Sequence, residues 1–429
     1  MSLREAIRYA HEHQPSLAAA RARVAVALAQ SAVPRAGYMP RIAAAAEVLV
    51  GTSNNTTASY ATVGILDVAR VGGTAANATR SWSPDPSTLI GASVHQELYD
   101  FGRLEAQADA YDALARAAGE DARGVQLDLD LLVEDSFYAV QSSKAILAAA
   151  DAAVQRVQAH RDLAEAQVRA QLWSPIKLTR ADADLANYTV DRVRAAGSLA
   201  IAQDVLAATI GAAEPAIDAG ADDLTFATPP QLAAAMRDVD VQAPELRAAR
   251  AQLLAQQRIS SAIRSELRPD LSVSAELTGR AGGAPVTAAT PTGGGWLPDV
   301  PNWDALVVLS WPIFDRVVTA RARASERIEA VRVAEIDQVA QQLRTGAERG
   351  YVELEVARSA VPALQRALAA AQANHAQAEA QFTAGLGTAV ELSDAEALLT
   401  DAQIQLAVGQ FQQSRARARL GRALAEVAQ

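Results

Sequence analysis

Glu391 and Asp394 stand three residues apart late in the chain, so a helix carrying them presents both carboxylates on one face. Such a pair favours cations. The segment around it, Val390-Glu-Leu-Ser-Asp-Ala395, matches the earlier Ile176-Lys-Leu-Thr-Arg-Ala181, and there the two positions hold Lys177 and Arg180. The sign of the charge is therefore reversed between the two copies. Other chemistry finds no support. The five histidines do not cluster, and His11 and His13 fall on different sides of a helix, a poor arrangement for a metal. No Gly-rich phosphate loop follows a strand, and no Ser/His/Asp set has a supporting context. No enzyme, cofactor or metal site is expected.

The bulk numbers narrow the class further. The chain has 429 residues, half of them hydrophobic but only 4% aromatic, and a net charge of −10. Ala-rich, charge-dotted sequence suits long helices packed side by side. The acidic balance gives no field to hold phosphates, so nucleic acid is not an expected partner. There are no cysteines, hence no disulfide, thiol nucleophile or lipidated Cys. No apolar run is expected to reach the length of a membrane-spanning helix. The opening MSLREAIRYAHEHQP reads as amphipathic helix rather than an export signal.

The elements that must position these charges follow from periodicity. From Thr88 to Leu98 apolar residues alternate with polar ones, the pattern of a strand with one wet face. After Phe101-Gly102 the spacing changes to threes and fours and holds to about Ala170, the stripe of a packed helix. The same change recurs at Asp304–Arg316. The full order predicts a helix from Ser2 to about Val33 and a strand at 41–50. A polar loop over 51–87 follows, with a short strand near Tyr60 to Leu66. The strand at 88–98 then leads into a helix over 104–170, a break at Leu172–Pro175 and a helix over 176–210. A linker over 211–240 holds Gly211, Pro215, Gly220, Pro229 and Pro230. The second half predicts a helix to about Leu267, strands at 270–278 and 304–313 around a loop, a helix over 316–384, a break at Gly385-Leu386-Gly387, and a helix over 389–426.

The halves are copies. Pro15-Ser-Leu17-Ala-Ala-Ala-Arg21 matches Pro244-Glu-Leu246-Arg-Ala-Ala-Arg250, and in the same register Arg35 matches Arg264, Pro40 matches Pro269 and Glu47 matches Glu276. Leu98-Tyr99-Asp100 matches Ile313-Phe314-Asp315. One duplicated helix–strand–strand–helix–helix unit explains these blocks. The predicted repeats are 1–210 and 241–429. Their four strands alternate apolar and polar at a length that fits a membrane barrel. Four strands cannot close a barrel, two chains would enclose too narrow a bore, and three would give twelve strands. A helix over 104–170 is about 100 Å long at ~1.5 Å per residue, more than a compact globule needs.

The chain resembles the TolC-like outer-membrane factors of drug efflux pumps and type I secretion systems. The likeness covers essentially the whole chain. It rests on the duplication, on Ala6, Ile7, Ala10, Pro15 and Leu17, on Pro40 and Pro269 before strands, on Leu98–Arg103 and Trp311–Asp315 at strand-to-helix junctions, and on Ala384–Ala395. It implies a mainly α chain with a small β part, a homotrimer, and a twelve-stranded barrel in outer-membrane lipid continued by a twelve-helix periplasmic tunnel. It also implies a periplasmic adaptor and an inner-membrane pump or ABC exporter as partners. By position, Leu172, Trp173, Ser174 and Pro175, with Gly385, Leu386, Gly387 and Thr388, would be the tips that meet the adaptor. Glu391 and Asp394 would form acidic rings at the pore constriction, with Lys177 and Arg180 as partners in a closing latch. The family usually has Gly where this chain has Ala170. The loops holding Trp82, Trp296 and Trp303 would face outside the cell. The rival expectation is a coiled-coil scaffolding protein without a channel.

Overall fold

The computed structural model describes residues 1–52, 84–214, 217–220, 242–282 and 300–425. The first repeat runs α1 (Leu3–His13), α2 (Pro15–Ala36), β1 (Arg41–Thr52), β2 (Pro84–Tyr99), α3 (Arg103–Arg169) and α4 (Pro175–Ile210). The second runs α5 (Pro244–Ser265), β3 (Asp270–Gly282), β4 (Val300–Ser310), α6 (Arg316–Thr383) and α7 (Ala389–Ala423). The copies agree closely in length. Helices α2 and α5 each span 22 residues and begin on a proline, α3 and α6 span 67 and 68, and α4 and α7 span 36 and 35.

Several boundaries differ from the expectation, mostly at prolines. The single helix expected to Val33 breaks at Gln14, which is extended (φ −76°, ψ 119°), because the Pro15 ring disfavours helical backbone in the residue before it. Strand β2 starts at Pro84, and β4 ends at Ser310 rather than 313. Pro312 has no N–H to extend the ladder, and the Trp311 indole instead donates to the Leu267 carbonyl at 3.3 Å. The expected strand at 60–66 and most of the 211–240 linker lie outside the described residues.

The strands form one antiparallel sheet in the order β1-β2-β3-β4. Its register sorts the residues by face. Ile42 pairs with Val94, Ala44 with Ala92 and Ala46 with Ile90. Val94 pairs with Ala275 and Ala92 with Leu277, while Leu271, Val273, Ala275 and Leu277 face Leu309, Val307, Ala305 and Trp303. Since directly opposed residues share a face, these positions make one largely apolar surface, interrupted by Gln96 opposite Val273. It is open to the outside: Ile42, Val48, Trp303 and Val307 are 71–76% exposed. The other face carries Ser93 against Glu276 and His95 against Ser274. There Ser272 and Glu276 are buried. The outer edges of β1 and β4 have no strand partner among the described residues.

The strand-to-helix junctions explain the repeated Leu/Ile-Tyr/Phe-Asp text. The Asp100 carboxylate accepts the Leu104 N–H at 2.5 Å, the Gly102 N–H at 3.1 Å and the Tyr38 hydroxyl at 2.6 Å. Asp315 likewise accepts the N–H groups of Val317 and Val318. Each aspartate caps orphan donors at the start of a very long helix. The sharp change of direction uses left-handed backbone at Phe101 (φ 54°) and Gly102 (φ 90°).

Contacts divide the chain into two compact units, and each draws on both repeats. One comprises Val26–Ala115 and Gln252–Arg332 and holds all four strands. The other comprises Met1–Ala25, Arg116–Ala251 and Val333–Gln429. In the latter, Ile7, Leu17, Leu129, Val133, Phe137, Leu206 and Ile210 form one apolar core, and Leu246, Ala347, Leu354, Ala416 and Leu420 a second. Ion pairs join the repeats between them: Arg415 with Asp135 at 3.0 Å, and Arg422 with Asp128 at 2.6 Å; Arg422 also meets Glu245 of its own repeat at 2.5 Å. His11, unsuited to a metal by its spacing, instead meets the buried Asp130 at 2.5 Å. Burial pushes the Asp130 carboxyl above its ordinary range, and the histidine opposes that shift.

Candidate functional site

The two helical hairpins end in turns of identical construction. In the first, the Leu172 and Trp173 N–H groups return to the Gln167 carbonyl; in the second, those of Leu386 and Gly387 return to Gln381. Each is a helix C-terminus closed through a left-handed residue, Gln171 at φ 60° and Gly385 at φ 75°. The glycine-demanding position of the first turn is therefore Gln171, one residue beyond the Ala170 expected from sequence. Leu172 and Leu386 are exposed at 71% and 85%. Trp173 is half-buried, its ring edge-on to Phe382 at 5.3 Å. Gly387 stands at the corresponding place in the second turn, where a Cβ would lie 3.1 Å from the Phe382 nitrogen.

The charges just past the turns behave differently in the two copies. Thr388 and Glu391 form a reciprocal cap on α7: the Glu391 N–H donates to the Thr388 hydroxyl at 3.2 Å, and the Thr388 N–H to the Glu391 carboxylate at 2.7 Å. That backbone hydrogen bond, then the hydroxyl, hold the Glu391 carboxyl below its ordinary range. At the start of α4, Ser174 makes no side-chain cap, and Lys177, at the place of Glu391, has no acceptor with which to return one. The Lys177 ammonium lies instead 4.4 Å over the Trp173 ring. The reversal of charge between the copies is thus also a difference in capping. Within the chain Lys177 is not paired with Glu391, nor Arg180 with Asp394; Arg180 and Asp394 are exposed. Thr388→Ala should cost about 1 kcal/mol of α7 stability and raise hydrogen exchange at residues 389–392, leaving α4 unchanged.

Behind the tips lies a cluster that spacing alone does not reveal. Glu396 of α7 is 1% exposed. Arg156 of α3 grips it through both carboxylate oxygens at 2.7–3.0 Å, and the Thr400 hydroxyl adds a bond at 3.2 Å. Nε2 of the buried His375, on α6, comes within 2.8 Å of the same carboxylate, off the axis of a hydrogen bond. His160 of α3 sits edge-on to Phe382 at 6.2 Å. Two of the histidines dispersed in sequence therefore come to one cluster: His375 meets the Glu396 carboxylate, and His160, from α3, lines a cavity with Glu396. Tyr188 of α4 closes the cluster, and burial first, then Glu396 and Asp184, push its hydroxyl up to about 12. The one advance signal was Glu396 itself, a charge set between Leu392 and Leu399 on the buried stripe of α7. No group of three acidic or histidine side chains suited to a metal occurs among the described residues.

Helix α4 is long and apolar enough in composition to cross a bilayer, contrary to the expectation that no run would be, and only 22% of its most apolar stretch is buried within the chain. Val190, Val193, Ile201 and Val205 are all exposed along it.

A sheet with one largely apolar, exposed face, fused twice to very long helix hairpins, fits an outer-membrane channel class. The chain belongs to the outer membrane efflux protein family, whose model matches residues 6–212 and 236–426, one segment per repeat. It is an outer-membrane exit duct with its helical part in the periplasm. No curated protein matches its sequence closely. Its fold is similar to that of the outer-membrane channel OprN (21% identity, 99% of this chain and 90% of that one, TM-score 0.76). It is also similar to the Campylobacter jejuni outer-membrane channel CmeC (13%, 99% and 85%, 0.78) and to the Neisseria gonorrhoeae channel MtrE in its open state (19%, 99% and 89%, 0.75).

Proposed function

We propose that three copies of this chain form a passive duct, in which the four-stranded sheets join edge to edge into a twelve-stranded barrel. The observation that carries this reading is the sheet: a largely apolar face bounded by two strand edges, β1 and β4, that have no strand partner among the described residues. Lipid accepts the face, but unpaired N–H and C=O groups at an edge cost several kcal/mol each in a bilayer. Pairing β4 of one copy with β1 of the next removes both edges. The open apolar surface of α4 finds its cover in the same assembly, as one wall of a shared helical tunnel. Transport needs no chemistry in this chain; a partner pump, reached through an adaptor at the tips Leu172–Pro175 and Gly385–Thr388, supplies the energy.

In this arrangement Glu391 and Asp394 each recur three times around the constriction, which favours cations. Lys177 and Arg180 meet those carboxylates across copies, since they do not do so within one. Exchanging both for glutamate should open the constriction and raise single-channel conductance; an unchanged conductance sinks the latch. The assembly itself is tested by light scattering of the detergent-solubilised particle, corrected for detergent, after expression behind an export signal. Three chains of 45.0 kDa give 135 kDa. A monomer or dimer stable without detergent returns the sheet to the scaffolding alternative.

A further inference from the structure

We infer that the cluster behind the tips is a proton-operated latch, in which protonation of His160 loosens the packing of Phe382 and Trp173 between the two hairpins. The argument starts from connectivity. Phe382, 6% exposed, ends α6, and its ring is met edge-on by His160 from α3 on one side and by Trp173 from the first turn on the other. One aromatic side chain of the second repeat is thus clasped by two residues of the first. Lys177 over Trp173 extends the stack to the start of α4.

His160 Nε2 is buried and meets no hydrogen-bond partner. It lines a cavity of about 50 Å³ with Val157, Ala164, Leu392, Trp173 and Phe382. Such a space is too small for a ligand, since even benzene occupies a cavity of about 150 Å³. It is also mostly apolar, a poor setting for a new charge. The groups that face the ring, with the neutral Tyr188 of α4 among them, are of both signs. Arg156 on α3, Lys177 and Arg180 on α4, and a protonated His375 on α6 oppose an imidazolium; Asp184 on α4, Glu379 on α6 and Glu396 on α7 favour it. Glu396 is already committed to Arg156 in a two-point grip, so its help is reduced. Desolvation is the leading influence, and His160 is held below the ordinary histidine range.

The linkage follows. A histidine whose folded pKa is depressed contributes stability that is fully present above the ordinary value of about 6.5 and is lost as pH falls below it. The packed tip therefore weakens in mildly acidic surroundings, where opened hairpins accept the proton. At pH 5.5 the opened state gains at most about tenfold over pH 7.5.

Hydrogen exchange on the full-length protein in detergent reads this directly, corrected for the intrinsic pH dependence of exchange, and it needs no channel current and no trimer. Between pH 7.5 and 5.5, residues 160–176 and 378–392 should lose up to about tenfold protection, while 346–356, which carry Ala347 and Leu354 of the second core, should not change. His160→Phe and His160→Gln, both uncharged, should abolish the loss, with protection at pH 7.5 retained in at least one of them. A wild-type chain with equal protection at both pH values overturns the inference. So does a loss that persists undiminished in both variants.

Discussion

Val307→Arg should largely empty the outer membrane of this protein, whereas the adjacent Leu306→Arg should leave it in place. Val307 lies near the middle of β4, pairs with Val273, and is 72% exposed on the face shared with Ile42, Ala92 and Leu277. An arginine there must enter hydrocarbon, at about 2–4 kcal/mol near the midplane. Three copies in a shared barrel would suffer it three times, and the sheet has few internal resources to offset it. Leu306 pairs with Ser274 on the opposite, polar-lined face, where a charge meets water or other polar groups. The measurement is the amount of each variant in the outer-membrane fraction, followed by the mass of the extracted particle. Equal behaviour of the two variants would mean that neither face of the sheet meets lipid, and the barrel would have to be abandoned.

The contrast between Val307 and Leu306 is also the part of the fold most legible in the sequence. Period-two alternation over most of 88–98, 270–278 and 304–310 fixes which side chains share a face, because a strand offers only two; it fails at the end of β2, where the register shifts between Glu97 and Tyr99 and Tyr99 rather than Leu98 comes opposite Leu271. The duplication then supplies the order of elements twice, and the matching lengths of α3 with α6 and α4 with α7 follow from it. Ends were less legible where proline intervened. Pro15 splits the first helix, and Pro84 and Pro86 sit inside β2, where composition reads as loop. The left-handed position of the first turn went to Gln171 because nothing in a single residue's type marks it when glycine is absent. The candidate site was half legible. Lys177, Arg180, Glu391 and Asp394 stand at matching positions by sequence, yet only geometry shows Glu391 closing its own helix cap and Lys177 stacking on Trp173. The Arg156–Glu396–His375 cluster joins three helices whose residues lie 21 to 240 positions apart, so no local pattern could announce it.

That cluster supports the second large effect. Arg156→Met should lower the thermal midpoint of the helical part by roughly 6–9 °C, through a loss of about 3–5 kcal/mol. The side chain of Glu396 is 2% exposed and is held by three contacts from the Arg156 guanidinium. Truncating the arginine leaves the carboxylate buried with the Thr400 hydroxyl and an off-axis imidazole, and a water entering in its place brings no positive charge. The companion variant separates two explanations. If the cost is the stranded charge, Arg156→Met combined with Glu396→Met should recover most of the lost stability, because an apolar pair of similar volume asks for no desolvation. If instead Arg156 matters for its aliphatic stem packed against α7, methionine already restores that contact, and the single variant should be nearly neutral. A double variant as unstable as the single would show that the ion pair holds the hairpins in register rather than merely satisfying a buried carboxylate, since the Glu396 carboxylate meets both Arg156 of α3 and His375 of α6. The tips would then owe their closed packing to a polar joint set behind an aromatic one.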